Sequence, residues 1–77
     1  MGKTMIYVII DTATAHQVGA YATEAEALVD VRDAVQQFGR SYAVAWGLAE
    51  QESNGTLRAI AEGDVLIDRA LAAPTAR

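Results

Sequence analysis

The sequence predicts an α+β fold of order ββαββα: one sheet, mixed or antiparallel, with two helices packed on one face. Three observations carry this. The chain states one pattern twice, residues 4–39 reading strand, turn, strand, helix and residues 40–73 reading the same again. Ala20-Tyr21-Ala22-Thr23 and Ala59-Ile60-Ala61-Glu62 each lead into a run with helical apolar spacing. At 77 residues the chain has room for a single domain. Residues 74–77 are expected to be a frayed tail.

The elements follow in order. Strand one is expected over residues 4–11. Its two faces, Ile6, Val8 and Ile10 against Met5, Tyr7 and Ile9, are both apolar, so both should be covered. A small polar turn, residues 12–16, leads to strand two over residues 17–22, where Gly19 permits a bulge or a close neighbour. Thr23 and Glu26 have the spacing of a capping box, and Gly39 closes helix one. Leu28, Val31, Val35 and Phe38 form its expected buried stripe, widened by Ala27 and Ala34. Strand three is expected over residues 41–50. It divides by size: Tyr42, Val44, Trp46 and Leu48 on one side, Ala43, Ala45, Gly47 and Ala49 on the other. The small side suits a close helix. Asn54-Gly55 signals a hairpin into strand four, residues 56–61. Helix two starts near Gly63-Asp64, with Asp64 as N-cap and Leu66, Ile67, Ala70 and Leu71 as its buried side; Pro74 stops it.

Composition narrows the function classes. A chain this short buries only about 60% of its unfolded surface, so it needs a further source of stability. There is no Cys and one His, which excludes disulfides, thiolate zinc and a multi-histidine site within one chain. Association is the remaining route, so a homodimer is expected, with room for another protein partner. The net charge of −4 and six scattered Lys and Arg offer no phosphate-tracking patch, so no nucleic-acid partner is expected. No run approaches a membrane span and the start does not read as a signal peptide, so a cytoplasmic protein without membrane attachment is expected.

The short motifs carry little chemistry. Gly2-Lys3-Thr4 copies the end of a phosphate-binding loop but runs into a strand instead of opening a helix. Asn54-Gly55-Thr56 matches a glycosylation sequon and reads as a turn. His16 is the one ordinary general-base candidate and sits in a turn. Burial could make a base of Asp11, Glu50 or Glu62, but each reads more simply as a solvated strand end. No catalytic residue, cofactor or metal site is expected, and the chain is read as non-enzymatic.

The apolar and aromatic set is the constellation with functional weight. If the helices cover the small-residue face, then Met5, Tyr7, Ile9, Tyr42, Val44, Trp46 and Leu48 form the bare face. Three readings compete. The set is a surface for self-association or for a partner; or it is the main core, with the helices on the other side; or it stacks nucleic-acid bases, as sheet aromatics do in RNA-binding modules.

Residues 7–38 also resemble the N-terminal domain of HicB-type antitoxins. The run Gly19-Ala20-Tyr21-Ala22-Thr23-Glu24-Ala25-Glu26-Ala27-Leu28 is similar to that family's approach to its first helix. Ala13-Thr14-Ala15 stands where the family carries a Pro-Gly turn, and no separate DNA-binding domain fits in this length. The resemblance implies an antitoxin-like protein that binds a toxin or another protein. The leading expectation is a self-associating protein-interaction module; the alternatives are the antitoxin-like partner and a small-molecule site at a subunit interface.

Overall fold

The computed structural model describes residues 5–72. The expected start of strand one at Thr4, the Gly2-Lys3-Thr4 motif, the Pro74 stop and the tail lie outside them. The order is β1 (Ile6–Asp11), β2 (His16–Tyr21), α1 (Glu24–Phe38), α2 (Arg40–Ala43), β3 (Trp46–Gln51), β4 (Leu57–Glu62) and α3 (Gly63–Ala72). The strands form one antiparallel sheet in the order β2-β1-β3-β4. The expected ββαββα architecture is thus present, with one additional turn of helix between the two halves.

Local chemistry explains each boundary. The β1–β2 turn is an Asx turn: the Asp11 carboxylate accepts from the Ala13 amide at 2.9 Å, and the Asp11 carbonyl accepts from Ala15 at 2.7 Å. Thr12 ties this turn to the start of β3, its amide and hydroxyl both donating to the Ala45 carbonyl at 2.8 and 2.6 Å. Thr23 caps α1, its hydroxyl accepting from the Glu26 amide at 3.1 Å. The Glu26 carboxylate reaches back one residue further than a capping box requires, to the Ala22 amide at 3.3 Å. In the β3–β4 loop the Asn54 side chain accepts from the Thr56 amide at 2.9 Å.

The expected strand over residues 41–50 is corrected: its first half is the helical turn α2. Gly39 adopts φ +93, a left-handed conformation that ends α1 and turns the chain into α2. Ala43 is then fully buried. Arg40 donates to Asp64 at 3.2 Å and Asp68 at 3.0 Å, linking α2 to α3 at the surface. Those hydrogen bonds, Asp68's first, raise the Arg40 pKa above its ordinary value.

The core lies between the helices and one face of the sheet. Ile9, Trp46, Leu48 and Ala61 from the strands meet Leu28, Val31, Leu66 and Ile67 from α1 and α3. Tyr7, Tyr21, Val35 and Ile60 pack at its margin. Phe38 was expected in the buried stripe of α1 but is 60% exposed, because α1 ends there and the chain turns away. Leu71, in the last turn of α3, is likewise exposed rather than buried. Asp64 falls inside the first turn of α3 rather than at its cap.

Two bulges break the ladders. Ile9 pairs with Gly19 and Ile10 with Gln17, so Val18 is the extra residue of β2. Leu48 pairs with Ala61 and Ala49 with Ala59, so Ile60 is the extra residue of β4.

Candidate interaction surface

The helices cover the large-residue face, the reverse of the expected side. Of the seven residues expected on a bare face, Ile9, Leu48 and Trp46 are core, Trp46 being 8% exposed. Tyr7 is half-buried against that core, and Met5, preceding β1, is half-buried. Tyr42 and Val44 are exposed, but they belong to α2 and its C-cap, not to the sheet. The physical reason lies in the helices. α1 and α3 bring their own small residues, Ala27, Ala34 and Ala70, to the contact. The sheet therefore supplies the volume there instead of the space.

Tyr42 still forms part of an aromatic series. Its ring stands 4.6 Å from Phe38 and 5.6 Å from Trp46, the second contact edge-on. The series runs from the core outward, so it continues the core at its open end.

The face opposite the helices is the one sequence reasoning missed. Antiparallel partners share a face. Val8 pairs with Ala20 and Ala49, Ala49 with Ala59, Ile10 with Gly47, and Gln51 with both Ile6 and Leu57. Val8 and Ala49, at its centre, are buried but lie outside the cluster under the helices. Ile6 and Ile10 are half-exposed; Ala20, Leu57 and Ala59 are exposed. Among the described residues no helix packs on this face. Over β3 and β4, where Gly47, Ala49 and Ala59 are small, lies a shallow depression of about 290 Å³, bordered by Ile10, Leu57 and Glu62. Glu62 is the one ionisable residue on these rows; Gln17 and Gln51 are the other polar ones. The signal was legible as the alternation of Ala and Gly along β3.

The acid and base candidates are divided among different tasks. Asp11 and His16 are cross-strand neighbours, with the Asp11 carboxylate engaged in its turn. Glu50 accepts from Arg58 at 2.9 Å, and Glu62 borders the depression. Tyr21 has a role of its own. A Cβ at Gly19 would stand 2.9 Å from Tyr21 Cζ, so the glycine lets the ring lie back along β2. There the phenol donates to Asp30 of α1 at 2.8 Å. Burial, then the hydrogen bond and charge of Asp30, push its pKa up to about 12. This ties β2 to α1. Among the described residues no group of three His, Cys, Asp or Glu side chains is placed to hold a metal ion, and no helix is long and apolar enough to cross a membrane.

These features define a small antiparallel α+β fold with one helix-covered face and one apolar face on which, among the described residues, no helix packs. No family model, curated protein or solved structure matches the chain, and so none bears on the resemblance of residues 7–38 to HicB-type antitoxins.

Proposed function

We propose that this protein is a non-enzymatic interaction module that associates with a second copy of itself through the open face of its sheet. The observation that carries the reading is the makeup of that face: Ile6, Val8, Ile10, Ala49, Leu57 and Ala59 lie on it, with Glu62 at its rim as the single ionisable group. A chain of net charge −4 repels a second copy over most of its surface. A patch almost free of charge is where that repulsion is least. Val8 and Ala49 are already buried, so the apolar area left to remove from water, at about 25 cal/mol per Å², belongs to the exposed Leu57 and Ala59 and the half-exposed Ile6 and Ile10. A two-fold dimer uses one self-complementary patch on both chains, which suits a single uncharged face. The aromatic surface expected from the sequence is replaced in this role, since most of it is core. The binding role is further supported by the acid and base candidates, which serve a turn, an ion pair and a rim.

Size-exclusion chromatography with light scattering tests this. The wild type is expected to run as a dimer that dissociates on dilution. Ala59→Asp, an exposed site on the face, is expected to remain folded and run as a monomer, because the symmetry sets both new charges in one interface. A wild type that remains monomeric at its highest soluble concentration overturns the proposal.

A further inference from the structure

We infer that the β3–β4 loop is a site of spontaneous modification: in the folded protein the Gly55 amide nitrogen closes on the Asn54 side chain, and water then converts Asn54 to a mixture of aspartate and isoaspartate.

Asn54 is the chain's one asparagine, and glycine follows it. Residues 53–56 are exposed, so water reaches the pair. Gly55 carries no side chain to stand between its nitrogen and the Asn54 amide. Its surroundings are open as well, since a Cβ there would meet no atom within 4 Å. The attacking nitrogen and the Asn54 Cγ belong to adjacent residues, so ring closure is intramolecular and has the advantage of proximity. The glutamines do not compete. Gln17, Gln36, Gln37 and Gln51 would close a larger ring, and none of them precedes a glycine.

Two hydrogen bonds set the geometry. Asn54 Oδ1 accepts from the Thr56 amide at 2.9 Å. This bond folds the side chain back along the Gly55 peptide. It also aims an N–H donor at the oxygen on which negative charge grows as Cγ is attacked, the part such donors play in an oxyanion hole. The Gly55 amide donates to the Glu52 carbonyl at 2.8 Å. That second bond must open before the nitrogen turns to Cγ, and exposed loops open at little cost.

The chemistry needs only the chain and water. The Gly55 nitrogen loses its proton and bonds to Cγ; the Cγ–Nδ2 bond breaks, and the side-chain nitrogen leaves as ammonia. The product is a cyclic imide. Water adding at Cγ reopens it to aspartate. Water adding at the Asn54 main-chain carbonyl reopens it to isoaspartate, with the main chain now running through the former side chain. Nothing is oxidised or reduced. Either product adds a carboxylate to a chain whose net charge is already −4. Aspartate keeps an acceptor for the Thr56 amide. Isoaspartate lengthens the main chain between Gln51 and Leu57, which are cross-strand partners, and so disturbs the hairpin.

The test is to incubate the folded full chain in mildly alkaline buffer beside the same chain in denaturant. Isoelectric focusing, peptide mass mapping and enzymatic methylation of isoaspartate would follow the products. An acidic form is expected to accumulate in the folded chain at no less than about a tenth of the unfolded rate, because the loop opens almost freely. The change should map to Asn54, with isoaspartate present, and Asn54→Ser should give no acidic form. A folded chain that stays intact, or converts more slowly than that, overturns the inference, because the folded loop then protects Asn54. An acidic form that accumulates equally in Asn54→Ser places the modification elsewhere and also overturns it.

Discussion

The two faces of the sheet are built from the same four strands and differ in where they keep their volume. The covered face carries Tyr7, Ile9, Trp46 and Leu48, and the helices meet it with alanines. The open face carries Ile6, Val8 and Ile10 on β1 and Leu57 on β4, with small residues, Gly47, Ala49 and Ala59, between them. The first arrangement completes itself within one chain. The second leaves Leu57 and Ala59 exposed. The small residues thus come from the helices on one side and from the strands on the other.

The largest effect that tests this contrast is expected at Trp46. Trp46→Ala should cost about 3–5 kcal/mol of fold stability. Chemical denaturation should show that loss unchanged over a wide range of protein concentration; a loss confined to high concentration would mean that Trp46 serves association. Ile10→Ser should do the opposite. It is expected to lower the midpoint of thermal unfolding at high concentration and much less at high dilution, so that the wild-type concentration dependence is lost. An equal drop at all concentrations would place Ile10 in the fold rather than the interface.

Smaller effects sharpen the covered side. Tyr21→Phe removes the bond to Asp30 and should cost about 1 kcal/mol. Its pH signature is specific. The phenol is raised above its ordinary value of 10, so the stability it contributes is complete below pH 10 and is lost as pH rises towards about 12. Phenolate absorbance should show an ionisation near pH 12 that disappears in Tyr21→Phe. Thr23→Ala should also cost about 1 kcal/mol, through the lost cap on α1. Phe38→Ser, at the exposed end of the aromatic series, should change stability by no more than about 0.5 kcal/mol, since surface changes away from the core are usually that small.

Much of the fold was legible in the residues. Thr23 and Glu26 announced the start of α1, and Gly39 its end. The alternation along β1 assigned its two faces correctly. Two features were not legible. Residues 40–43 read as strand because Tyr42, Val44 and Trp46 alternate with alanines, but a period of two over so few residues cannot register a single turn of helix held by tertiary contacts. Burial of Ala43 and the Arg40 contacts with Asp64 and Asp68 are long-range and leave no local pattern. The side of the sheet that the helices cover was not legible either. A column of Ala and Gly shows that something comes close; it does not show whether a helix or another sheet does so. The open face was therefore visible as a pattern, while its role depended on the alanines of α1 and α3.

The bulges at Val18 and Ile60 bear on how far assembly can go. A sheet of four strands exposes two unsatisfied borders, and an uninterrupted border is a template for fibre growth. Here β2 and β4 are those borders, and each carries one residue out of register with its neighbour. A strand arriving from another molecule meets a row of donors and acceptors that falls out of step partway along. Such a bulge disfavours lateral growth at either edge of the sheet. In the proposed dimer, contact through the open face would consume that face, so the chain would pair once and then stop.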